Sequence, residues 1–224
     1  MTRGIAAVWL VLAAAGSAVA QDAPTLRAHR FTVSGGVALL GGYDIGSATA
    51  ALRRNETGTA RPSNVTLFTA VGSIERASSV EARVGFTLTP TVAIEFGGSY
   101  SRPIVAVAIG NDTEAGESPQ LTDQRLSQYV VDVSGVWQIS QLQLGRRARP
   151  YLTFGGGYLR QLDVDRVRAE TGKIFQAGVG LRYWLRRSFG ARAELDAEFR
   201  SGGVAFERGT RVAPAVKLFA FYAF

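Results

Sequence analysis

Apolar residues recur at every second position over much of the chain, and the stretch GARAELDAEFR carries the pattern most plainly. There Ala191, Ala193, Leu195, Ala197 and Phe199 alternate with Arg192, Glu194, Asp196, Glu198 and Arg200. A period of two is the signature of a β-strand, whose successive side chains point to opposite faces. Ala, Glu, Leu and Arg also favour helices. On a helix, however, the five charges would spread around the cylinder, whereas on a strand they fall on one side. The strand is preferred.

The same test picks out further segments. In SSVEARVGFTLT, Val80, Ala82, Val84, Phe86 and Leu88 face one way and Glu81, Arg83, Gly85 and Thr87 the other. In TVAIEFGGSYS, Val92, Ile94, Phe96 and Tyr100 oppose Glu95, Ser99 and Ser101. The tight Thr89-Pro90-Thr91 joins these two segments into a hairpin. QYVVDVSGVWQIS sets Tyr129, Val131, Val133 and Trp137 against Gln128, Asp132, Ser134 and Gln138. KIFQAGVGLRYWL sets Phe175, Ala177, Val179, Leu181 and Tyr183 against Gln176, Gly178, Gly180 and Arg182. RFTVSGGVALLGG and YLTFGGGYLRQL fit more loosely, being rich in glycine. With the final stretch from Arg211 onward the pattern predicts eight strands.

The connections alternate in length. Tyr43 to Ala77, Ile104 to Arg125, Asp163 to Thr171 and Ser201 to Thr210 are the long ones, and between them lie the short Thr89-Pro90-Thr91 and Arg186 to Ser188 and the somewhat longer Gln141 to Arg149. Long outward loops and short inward turns are the layout of a transmembrane barrel. A soluble barrel of lipocalin type would have its apolar face inside, and alternation alone does not say which face points in. The tail KLFAFYAF bears on that choice. Val216, Leu218, Ala220, Tyr222 and Phe224 share one face, with Arg211, Lys217, Phe219 and Phe221 opposite, so that Tyr222 and Phe224 fall at one interface as an aromatic girdle requires.

On these residues the chain resembles the small eight-stranded outer-membrane barrels of the outer-membrane protein A and X type. Leu218, Tyr222 and the terminal Phe224, with apolar residues at every second position, look like the signal read by the bacterial barrel assembly machinery. The resemblance implies an all-β fold, a closed antiparallel eight-stranded transmembrane up-and-down β-barrel. It also implies lipid and lipopolysaccharide as surroundings, the assembly machinery as a partner in biogenesis, and a monomer. The peptidoglycan-binding domain that some members append after the barrel is not expected here, since the sequence ends at Phe224. Closure between the last and first strands is required in hydrocarbon, where each unpaired backbone group costs several kcal/mol.

The start of the chain agrees with export. MTRGIAAVWLVLAAAGSAVA has Arg3 ahead of an apolar run and Ala18-Val19-Ala20 as a small-residue cleavage site. The run from Ile5 to Ala15 is short of the ~20 residues a spanning helix needs. Residues 1–20 are therefore expected to be a signal peptide, with cleavage involving Ala18 and Ala20, and 21–224 the barrel. With no cysteine, the exported chain cannot rely on disulfides. The net charge of +7 comes with only short, separate basic groups, Arg53-Arg54, Arg146-Arg147-Arg149 and Arg186-Arg187. A nucleic-acid role is not expected.

If the apolar face meets lipid, the lumen gathers Glu81, Arg83, Glu95, Asp132, Arg182, Arg192, Glu194, Asp196, Glu198, Arg200 and Lys217. An eight-stranded barrel is just wide enough for side chains to fill, and a buried charge without a partner is costlier than a paired one. Interlocked ion pairs are expected, and a gated or narrow porin-like ion path is the alternative. Enzymatic chemistry finds little support. The single His29 precedes the first strand at the inner rim, whereas barrels that resemble lipid A modifying enzymes use a site near the outer rim. No metal site and no cofactor are expected: the chain has no His or Cys cluster, and Asn111-Asp112-Thr113-Glu114 lacks the spacing of a calcium loop. Gly155-Gly156-Gly157 is not a phosphate loop, since no Lys-Ser/Thr follows. The expected role is structural or surface interaction through the long loops, with an unknown ligand. Asn64 to Ile74 and Ile104 to Ile109 are apolar enough to extend strands beyond the membrane as hairpins with exposed edges.

Overall fold

A computed structural model describes residues 30–53, 64–110, 120–139, 142, 145, 147–163 and 168–224. His29, the residues of the cleavage site and Asn111 to Glu114 lie outside them. The described residues form β1 (Phe31–Leu40), β2 (Tyr43–Arg53), β3 (Asn64–Ile74), β4 (Ala77–Thr87), β5 (Val92–Ser101), β6 (Ile104–Gly110), β7 (Gln120–Arg125), β8 (Ser127–Gln138), β9 (Ala148–Asp163), β10 (Arg168–Trp184), β11 (Phe189–Gly202) and β12 (Thr210–Ala223). Eight of these strands close into a barrel in the order β1-β12-β11-β10-β9-β8-β5-β4. Every pairing in it is antiparallel, and closure runs from Thr32↔Ala223 to Leu40↔Ala215 between β1 and β12.

The polarity that alternation left open is inverted relative to a soluble barrel. Along β12 and the Phe224 that follows it, Val212, Val216, Leu218, Tyr222 and Phe224 are exposed, while Ala213, Ala215, Lys217, Phe219, Phe221 and Ala223 are buried. Apolar residues as bulky as Phe96, Val131 and Tyr158 are about two-thirds exposed on the outer surface, at 60%, 66% and 67%, which is the outward apolar band of a membrane barrel. Tyr222 and Phe224 meet edge to face with centroids 4.9 Å apart, and Phe31 packs beside Phe86 at 5.2 Å. Both pairs sit at the rim of the short turns.

The remaining four strands form a second sheet, β2-β3-β6-β7. The two longest connections are thus hairpins rather than loops, and they are joined to each other through β3 and β6, from Thr69↔Gly110 to Ile74↔Val105. Each continues a barrel strand past a short break, at Gly41-Gly42, Glu75-Arg76, Arg102-Pro103 and Leu126. The breaks remain hydrogen-bonded: Gly41 N–H donates to Pro214 O at 2.6 Å, Glu75 N–H to Ile104 O at 2.9 Å and Leu126 N–H to Pro103 O at 3.0 Å. A side chain at Gly42 would meet Ile74 O at 2.8 Å, so the glycine permits the close crossing.

Candidate functional site

The barrel interior is built by the inward-facing half of every alternating strand. Glu81 and Arg83 come from β4, Glu95 from β5, Asp132 from β8, Arg182 from β10, Arg192, Glu194, Asp196, Glu198 and Arg200 from β11, and Lys217 from β12. The structure brings all of them into the lumen, each 6% exposed or less. Five are cations and six are carboxylates.

Three tiers run through the lumen. Nearest the short turns, Glu95 binds three guanidinium groups, with Arg192 at 2.7 Å, Arg182 at 3.4 Å and Arg83 at 3.8 Å. Arg192 Nε also lies 3.4 Å from Glu194, whose Oε1 accepts from Tyr151 Oη at 2.6 Å. In the middle tier Arg83 pairs with Glu81 and donates to Ser134 Oγ at 3.1 Å. Lys217 Nζ approaches Asp196 at 2.9 Å, Glu198 at 3.4 Å and Glu81 at 3.9 Å, and donates to Gln176 Oε1 at 3.0 Å. Gln176 in turn donates to Asp132 at 2.9 Å. Toward the second sheet, Arg200 pairs with Glu198 at 2.6 Å and donates to Gln128 Oε1 and Tyr43 Oη, both at 3.3 Å. Gln161 donates to Gln128 at 3.0 Å and accepts from Val204 N–H at 2.8 Å.

Alternation put Phe219 and Phe221 on the inward face with Lys217, where they are buried, but it missed the other groups that close the two ends. At the short-turn end Tyr151, Trp184, Phe219 and Phe221 turn inward. Trp184 and Phe221 stack edge to face at 4.8 Å, Arg192 sits 4.3 Å from the centre of Phe219, and Arg182 sits 5.1 Å from that of Phe221. The only sequence signal for Tyr151 and Trp184 was their place on the otherwise polar parity of their strands. At the other end a small apolar core of Ile45, Ile74, Val105 and Leu126, packed by Tyr43, Val107, Val204 and Ala205, lies over the mouth. Glu207 of the β11–β12 connection clamps it by accepting from both Ser47 N–H and Ser47 Oγ at 2.9 Å. These bonds, the backbone one foremost, hold the Glu207 carboxyl below its ordinary value.

Between the ends, the cavity bounded by Ser79, Gln128, Asp132, Gln176 and Lys217 measures ≈ 10 Å³, room for about one water. An open groove of ≈ 530 Å³ lies instead outside the mouth, where Tyr43, Asp44, Ser73, Glu75 and Arg76 line the junction of barrel and sheet. Among the described residues no group of three or more His, Cys, Asp or Glu is placed to hold a metal ion.

No protein-family model matches the chain, and no curated protein matches it. Solved structures do. Neisserial surface protein A superposes with a TM-score of 0.52 at 13% identity, over 87% of this chain and 97% of that one. The outer membrane protein AlkL in lipid bilayers gives 0.46 at 15% identity over 93% and 96%. The attachment invasion locus protein Ail of Yersinia pestis gives 0.43 at 12% identity over 88% and 99%.

Proposed function

Since the chain has the fold of the small eight-stranded outer-membrane β-barrels, we propose that it resides in the outer membrane as a closed, non-enzymatic anchor. Its role is carried by the sheet raised on the long-loop rim. The observation behind this reading is the pairing of β3 with β6, which merges two connections into one rigid display surface above a lumen filled by ion pairs. On this reading residues 1–20 are removed on export, and the outward-facing Leu218 and Tyr222 of β12, with the Phe224 that follows it, are the segment the assembly machinery recognises. The mature barrel is a monomer in lipid and lipopolysaccharide. β2 supplies a binding edge: from Ala48 to Ala51 its side chains are small and mostly exposed, and the strand is unpaired on one side within the second sheet, which suits strand addition by an extended partner.

A narrow ion path is the second reading. Thr153 Oγ1, Arg182 Nε, Arg192 Nη2 and Glu194 Oε2 are buried in the lumen without a hydrogen-bond partner among the described residues, so they would welcome water. Planar-bilayer recording of the refolded, inserted chain separates the two. The anchor predicts a silent bilayer, and reproducible discrete steps would replace it with the pore. An epitope tag inserted between β2 and β3 tests the display surface. It is expected to be labelled on intact cells, and labelling only after lysis would refute that orientation.

A further inference from the structure

The barrel's outer surface has one departure from its apolar character. On the outward parity of the eight barrel strands, the charged side chains among the described residues are Arg160 on β9 and Lys173 on β10. Both are exposed, and neither has an ion pair or side-chain hydrogen bond among the described residues. The register makes them diagonal neighbours, because Arg160 stands opposite Thr171 and Lys173 opposite Tyr158. Like charges so placed repel, and no outward carboxylate among the described residues offsets them.

Their depth is set by the strands. Lys173 lies ten positions from Tyr183 of the short-turn girdle on the same outward face, a height of about 25 Å on a strand tilted by ~40°. That equals the apolar band, so Lys173 reaches the far headgroup level and Arg160 lies one pair beyond it. Tyrosines flank the two cations at their own level, and Phe175 lies one outward position below Lys173. Tyr129 stands opposite Arg160 and Tyr158 opposite Val131, while Tyr100 and Tyr129 pack with centroids 5.0 Å apart. Arg102 completes the patch. Its Nε donates to Tyr100 Oη at 2.6 Å, and its guanidinium sits 5.8 Å from that ring's centre.

We propose that Arg160 and Lys173, flanked by Tyr129, Tyr158 and Arg102, form a lipid-facing site for the phosphate of an outer-leaflet phosphorylated glycolipid. A phosphate between the two cations converts their repulsion into two charge-assisted hydrogen bonds. The tyrosine faces receive the sugar and the start of the acyl chains. The site rests on the outer-membrane reading above, with the long-loop rim outward.

The test is titration of the refolded chain, in uncharged maltoside micelles, with bisphosphorylated lipid A. Insertion is scored separately by the heat-dependent gel shift of a folded barrel, so failure to form a membrane barrel is not mistaken for failure of the site. Wild type is expected to bind saturably, and the double variant Arg160→Gln/Lys173→Gln to bind at least about tenfold more weakly with the gel shift intact. The variant Arg186→Gln/Arg187→Gln, on the opposite rim, is expected to keep wild-type affinity. Equal binding by wild type and the first variant overturns the proposal, as does an equal loss in the second. Lipid A stripped of phosphate should bind no better to wild type than to the first variant. Phosphatidylglycerol matching lipid A would overturn the glycolipid assignment, and inorganic phosphate matching it would reduce the site to one for a free anion.

Discussion

Glu95 is the residue on which the lumen depends most, since it alone faces Arg83, Arg182 and Arg192. Removing one partner of a buried network leaves the others uncompensated, and Glu95→Ala is expected to destabilise the barrel by about 3–5 kcal/mol. Chemical denaturation in micelles measures this, and a loss below 1 kcal/mol would contradict the tiered network. A double-mutant cycle with Arg192→Ala should show strong coupling, because the second change removes the main charge the first one stranded. Glu207 supplies a contrasting case at the surface. Its folded value is held down by the two Ser47 bonds, so its contribution is complete above the unfolded carboxylate value of about 4.3 and is lost as pH falls through the lower folded value. The protection of the Ser47 amide against hydrogen exchange, relative to its intrinsic rate at each pH, should fall over that acidic window and stay flat above it. In Glu207→Gln the same step should vanish.

At the scale of elements, legibility tracked polarity. β4, β8, β11 and β12 could be placed with their faces from alternation, and their charged positions could be listed before any coordinates, because a strand face is a local property of sequence. Tyr151 and Trp184 were not legible as lumen groups, since an aromatic is at home on either face and only its contacts decide. The junction of β3 with β6 was equally hidden, because it is a long-range pairing of segments whose apolar character showed only that they could be strands. Glycine on the inward face of β9 and β10 is explained by the side chain or backbone of the neighbouring strand that crowds each position. A Cβ on Gly180 would fall 2.3 Å from the Tyr151 ring, so Gly180→Val is expected to displace Tyr151 and weaken its bond to Glu194. The loss should reach about 1–3 kcal/mol, the usual range for overpacking. Gly35→Val, where nothing lies within 4 Å, serves as the control and should be nearly neutral.

For the whole molecule, the second sheet and the barrel should behave as separable cooperative units. The sheet's core is limited to four buried apolar residues and their neighbours, whereas the barrel is closed and internally paired. Hydrogen exchange in lipid is therefore expected to show β2, β3, β6 and β7 opening at lower free energy than β10 and β11. Uniform protection across both would show the two to be one unit. Replacing the β2–β3 and β6–β7 hairpins by short turns should leave a barrel with its heat-dependent gel shift. The closing register of Thr32 with Ala223 also governs how this protein fails. A ring lacking one strand does not become a slightly weaker ring: it becomes an open ribbon with two bare edges, and each edge is a template for another copy. Damage to β1 or β12 is therefore expected to appear as aggregation during folding rather than as a smaller barrel.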